Sequence, residues 1–105
     1  MIHIIKIGAD WCNNCNILSN DLNNIDYNDI NYDNIEDLEN ELIEKYNNNI
    51  YNIIKNTDKL PTLYIIDNNT IKDKMIGYNI NRKNELYNLL NKYNIKDKLN
   101  YDENF

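Results

Sequence analysis

Cys12 and Cys15 are the only thiols in the 105-residue chain, and they stand two residues apart. In a cytosolic protein, a C-x-x-C pair at a strand-to-helix junction reads as a dithiol redox motif. Cys12 is expected at the N-terminus of the helix, where the helix dipole and free backbone N–H groups stabilise a thiolate. Cys15, one turn later, is expected on the same side and deeper, close enough to close a disulfide without moving the helix. The spacing thus casts Cys12 as nucleophile and Cys15 as resolving thiol. Metal binding is the competing chemistry. A structural zinc site wants four ligands, and the pair is joined only by His3, so no metal is expected within one chain. A cluster bridged between two chains stays open. A purely structural disulfide does not suit a reducing compartment.

The elements around the pair follow from the apolar pattern. Ile2, Ile4, Ile5 and Ile7 form a β-branched run ending at Gly8, which predicts a strand buried on both faces beside a parallel neighbour. Cys15, Leu18 and Leu22 then fall at helical spacing, with Ile17 beside them. A short strand is expected over Asp29 to Asp33, with Ile30 and Tyr32 on one face. Asp33 and Glu36 are spaced as a capping box, ahead of a helical stripe of Ile35, Leu38, Leu42, Ile43 and Tyr46. Ile50, Ile53 and Ile54 suggest a further turn or two of helix within Asn47 to Lys59. Leu63 to Ile66 and Ile71 to Ile76 read as strands, joined by the turn Asp67-Asn68-Asn69-Thr70 into an antiparallel hairpin. Leu86, Leu89, Leu90 and Tyr93 mark a last helix from about Asn81 to Tyr93, continuing toward Leu99, with Asp102 to Phe105 expected to fray. The order β-α-β-α-β-β-α predicts an α/β fold in one domain spanning residues 1–105: a four-stranded mixed sheet flanked by helices.

Composition narrows the function classes. The net charge is −6, without the basic footprint of a nucleic-acid binder. No apolar run approaches the roughly 18–20 residues of a membrane span. The opening run is cut by Lys6 and Asp10 with no A-x-A-like site after it, so the expected location is the cytoplasm. The chain has 25 Asn and 18 Ile but no Val or Gln. Even spacing of the asparagines favours codon drift in an AT-rich genome over a prion-like tract. The nine tyrosines read as core and surface filler, and the expected state is a monomer.

Ala9-Asp10-Trp11-Cys12-x-x-Cys15 resembles the thioredoxin signature A-[ED]-W-C-x-x-C, and Leu60-Pro61-Thr62 resembles that family's cis-proline loop. Gly77 stands where the family carries a glycine at the active-site rim. The likeness spans roughly Ile2 to Tyr93, with its motifs in the family's order. It implies a thioredoxin-like fold, thiol–disulfide oxidoreductase activity on protein disulfides, and substrate contacts at Trp11, Leu60, Pro61 and Gly77. With Pro61 cis, Leu60 would offer its backbone to an extended substrate peptide. No bound cofactor is implied, since no Gly-rich loop is present; an external reductase or the glutathione pool would restore the dithiol.

Four departures stand out. The chain begins at the strand before the motif, a layout similar to glutaredoxins and short thioredoxin-like proteins. The intervening dipeptide is Asn13-Asn14. Asn47 to Lys59 is longer than the family's link to the cis-proline. Lys6 occupies the position where thioredoxins place a buried acid, which leaves no base there for Cys15. Its ammonium is expected to reach solvent; near the sulfurs it would instead lower the Cys12 pKa. Asp10 is a second candidate for such tuning, although it and Asp58 read more simply as surface acids. Two other functions remain in play. A glutaredoxin-type enzyme using glutathione suits the length, but not Trp11 or the Leu60-Pro61-Thr62 and Gly77-Tyr78-Asn79 segments. A non-catalytic binding module would keep the fold without turnover.

Overall fold

This computed structural model describes residues 1–95. The sheet is built around β1 (Ile2–Gly8). The connection through α1 (Asn13–Asp21) returns the chain parallel to β1 as β2 (Asn28–Asn31). On its other side β1 pairs antiparallel with β3 (Thr62–Asp67), which pairs antiparallel with β4 (Thr70–Ile76). The strand order is β2-β1-β3-β4, the expected four-stranded mixed sheet. The β3–β4 turn puts Asn68 and Asn69 at φ 52° and 59°. Two successive left-handed residues give the hairpin the twist its strands need, and asparagine tolerates that region.

Alternation along β1 and β3 sends side chains into two cores. Ile5, Ile7, Tyr64 and Ile66 point to one face. They are covered by a 3-10 segment (Tyr32–Leu38), α2 (Glu39–Lys45) and α3 (Asn48–Lys55), which supply Ile35, Leu42, Tyr46, Ile50 and Ile54. Ile4, Leu63 and Ile65 point the other way, under α1 and α4 (Lys83–Lys92), against Leu18, Leu22, Leu86 and Leu90. Helices therefore cover both sides of the sheet.

Three expectations are corrected in detail. The strand expected over Asp29 to Asp33 ends at Asn31; Tyr32 opens the 3-10 segment and is exposed. The cap there is Asn31, whose Oδ1 accepts from the Asp33 N–H at 2.9 Å, so Asp33 and Glu36 form no capping box. The stripe from Ile35 to Tyr46 spans two helix types, because residues three apart also share a face in a 3-10 turn. The turns expected within Asn47 to Lys59 are α3, capped by Asn47 Oδ1 accepting from the Ile50 N–H at 2.7 Å. The continuation toward Leu99 and the fraying of 102–105 lie outside the described residues. Among the described residues no helix is long and apolar enough to cross a membrane.

Candidate active site

β1 stops at Gly8, and Cys12 caps α1 with an extended backbone. Cys12 Sγ accepts a hydrogen bond from the Cys15 N–H at 3.2 Å. A sulfur held this way at a helix N-terminus is placed to carry negative charge. Cys15, one turn on, is 1% exposed, whereas Cys12 is half-buried. The two form a disulfide with their Cα atoms 5.2 Å apart, inside the usual range. One sulfur is therefore reachable and the other sits behind it. Among the described residues no group of three or more His, Cys, Asp or Glu is arranged to hold a metal.

The Leu60–Pro61 peptide bond is cis and Pro61 is buried. Ile7 pairs with Thr62, so the register carries Pro61 to the level of Gly8 and the dithiol. The loop is fixed from both sides. Thr62 Oγ1 donates to the Lys59 carbonyl at 2.7 Å, and the Gly77 N–H donates to the Pro61 carbonyl at 2.8 Å. Gly77 has φ 72°, a left-handed conformation that calls for glycine, whereas the nearest atoms to a Cβ there belong to the flexible end of Lys59 and could give way. Arg82 Nη1 donates to the carbonyls of Ile76 and Gly77 at 2.8 and 2.7 Å, holding this rim in place.

Trp11 is 69% exposed, which rules out a core-packing role. Its indole N–H donates to Asp33 Oδ2 at 2.9 Å, tying the residue before Cys12 to the 3-10 segment. Asp10 and Asp58 are exposed. Tyr78 donates to Asp21 Oδ2 at 2.6 Å and anchors the far end of α1. Burial, and then the bond to the Asp21 carboxylate, push its hydroxyl far above the usual tyrosine range.

Lys6 departs from expectation. Its side chain is 4% exposed rather than reaching solvent. Its ammonium donates to Ser19 Oγ on α1 and to Asp29 on β2, the oxygens of Asp29 lying 3.2 and 3.3 Å away. Sequence reasoning missed Ser19, Asp29 and Arg82 as parts of this region. Two signals point to the first pair: Ser19 lies four residues after Cys15 on one helix face, and parallel pairing sets Asp29 opposite Lys6.

No protein-family model matches the chain, and no curated protein matches it in sequence. Solved structures do match in shape. The chain is similar to the oxidised thioredoxin from Plasmodium falciparum, with 20% identity, 88% of this chain and 80% of that one covered, and a TM-score of 0.57. It is likewise similar to thioredoxin O2 from Arabidopsis thaliana in the oxidised state, with 18% identity, coverage of 88% and 74%, and a TM-score of 0.54. A crystal structure of P. falciparum thioredoxin shares 25% identity, with coverage of 88% and 70% and a TM-score of 0.51. The fold is thioredoxin-like. It carries a C-x-x-C disulfide at the start of α1, the equipment of a thiol–disulfide oxidoreductase.

Proposed function

We propose that the protein reduces protein disulfides in the cytoplasm as a monomer, with Cys12 as nucleophile and Cys15 as resolving thiol. The observation that carries this reading is the unequal placement of the two sulfurs, Cys12 half-buried at the helix cap and Cys15 buried behind it. The reduced Cys12 thiolate attacks a substrate disulfide, forming a mixed disulfide and releasing one substrate thiolate. The Cys15 thiolate then attacks Cys12 Sγ. The Cys12–Cys15 bond forms, the second substrate thiolate leaves and takes up a proton, and two electrons have passed to the substrate. An external reductase or the thiol pool returns two electrons to the pair.

Trp11, Leu60, Pro61 and Gly77 form the substrate face in this reading. Leu60, half-buried ahead of the cis bond, presents its backbone to an extended peptide in the manner of strand addition. Asp33 and Arg82 support that face by fixing Trp11 and the Gly77 rim.

The test is equilibration in graded glutathione buffers, with mass spectrometry of the quenched thiols. A potential near about −270 mV with no persistent adduct is the expected result. A stable glutathione adduct on Cys12, with glutathione exchange surviving Cys15→Ser, would overturn the reading in favour of glutathione-dependent chemistry.

A further inference from the structure

We propose that Lys6 is a positioning residue for the second half of the exchange: its buried ammonium acts across Gly8 on Cys15, holding that thiol's pKa down so that the resolving thiolate forms near neutral pH. This rests on the reading of Cys15 as the resolving thiol.

The argument begins with alternation along β1. Ile4, Lys6 and Gly8 share the face under α1. A lysine stem normally carries its charge to water, but this one is covered by α1 and is the one buried charged residue among the described residues. Gly8 supplies the link to the sulfur. A Cβ on Gly8 would stand 3.2 Å from Lys6 Cε, 3.2 Å from Cys15 Cβ and 3.3 Å from Cys15 Sγ. The end of the lysine stem and the resolving sulfur therefore converge on the space that the missing side chain leaves.

The surrounding charges favour a net positive field at that sulfur. Asp29 pairs with Lys6, but its side chain is 54% exposed, so solvent screens it, whereas the Lys6 side chain is 4% exposed. Asp10, also exposed, lines the rim of a polar cleft of about 190 Å³ that includes Lys6, Gly8, Ser19 and Asp29. Lys59 lies beyond the cis-proline loop, against Gly77. Burial alone would raise the Cys15 pKa. The ammonium at the end of the Lys6 stem, part-neutralised by Asp29, opposes this, and the expected net effect is a lowering by about one pKa unit, roughly a tenfold gain in thiolate. The cleft, which Cys15 does not itself line, is roomy enough for water beside Gly8, and the Cys15 proton is released to solvent before the attack. The thiolate then attacks Cys12 Sγ, the bond from Cys12 to the substrate sulfur breaks, and the departing thiolate is protonated.

The test follows the Cβ carbon shift of isotope-labelled Cys15 against pH in Cys12→Ser, where Cys15 is the sole thiol. Adding Lys6→Met is expected to raise the Cys15 pKa by about one unit. Adding Asp29→Asn, at an exposed site, is expected to lower it, because the ammonium loses its counter-charge. Opposite shifts are not what loosened packing produces. An unchanged pKa in a folded Lys6→Met protein overturns the proposal. Where that variant does not fold, an unchanged or raised pKa in Asp29→Asn overturns it. The titration needs no substrate, so the two failures are distinguishable: shifted pKa values in a protein that turns over no disulfide would reject the proposed activity, and with it the role in exchange, while the action of Lys6 on the Cys15 thiol would remain.

Discussion

The two faces of β1 are built from alternate residues of one strand, yet they do different work. Ile5 and Ile7 enter a core closed by α2 and α3, at whose edge the hydroxyls of Thr57 and Tyr64 are hydrogen-bonded at 2.6 Å. On the other face Ile4 is dry, Lys6 is charged and Gly8 is bare, and the polarity grows toward the disulfide. One face supplies cohesion. The other surrenders two apolar positions, at the end where α1 begins, to the chemistry of the sulfurs. A seven-residue strand can thus stabilise a fold and tune a site, because neighbouring residues share no environment.

That division can be broken by experiment. The largest expected effect is at the site itself. Cys12→Ser removes protein disulfide reduction while leaving the reduced protein's melting temperature near that of the parent, since the residue is half-buried at a cap and not in either core. Ile7→Ala, on the apolar face, is expected to cost about 2–5 kcal/mol in denaturant unfolding. The reactivity of the Cys12 thiolate should stay as it was, as measured by alkylation rate against pH. Gly8→Ala is the converse. Its methyl must displace Cys15 or Lys6 by a few tenths of an ångström, at a cost of about 1–3 kcal/mol, and the dithiol's equilibrium with glutathione should move. A Gly8→Ala protein with an unmoved equilibrium beside an Ile7→Ala protein with a shifted one would dissolve the contrast.

The smallest effect lies far from both. Burial disfavours the Asp73 carboxylate, but Lys92, the Lys74 N–H and the Tyr93 hydroxyl outweigh it and hold its pKa below the usual 3.8. The unfolded chain therefore binds this proton first. The stability Asp73 contributes is present above that value and is lost as the pH falls through the folded pKa. Melting curves of Asp73→Asn and the parent should differ at neutral pH and converge in acid.

Much of this was legible in the sequence. The isoleucine run, the C-x-x-C pair and Leu60-Pro61-Thr62 fix the sheet and its reactive end, because strand period and motif order survive a skewed composition. Asparagine was not legible in this way: outside the Asn68–Asn69 turn it read as codon drift, and its work as cap and turn residue shows only in the structure. It caps three helical segments, at Asn31, Asn47 and Asn79, and takes left-handed positions at Asn24, Asn68, Asn69 and Asn94. The course of Lys6 was not legible. Whether a strand lysine escapes to solvent depends on what lies over it, and only the packing of α1 and the register of β2 decide that. The 3-10 segment was hidden for a similar reason, since Ile35 and Leu38 suit either helix type. Arg82 was silent because it acts on backbone carbonyls, which carry no sequence signal.

Trp11 is the sole tryptophan, exposed, tethered by its indole N–H to Asp33, and next in the chain to a sulfur held in the disulfide, which the proposed function would open to a thiol. An excited indole loses its energy readily to a neighbouring disulfide, which accepts an electron, and less readily to a thiol. The molecule therefore carries its own optical gauge: emission should brighten on reduction and dim on oxidation, letting turnover be watched in real time without a label.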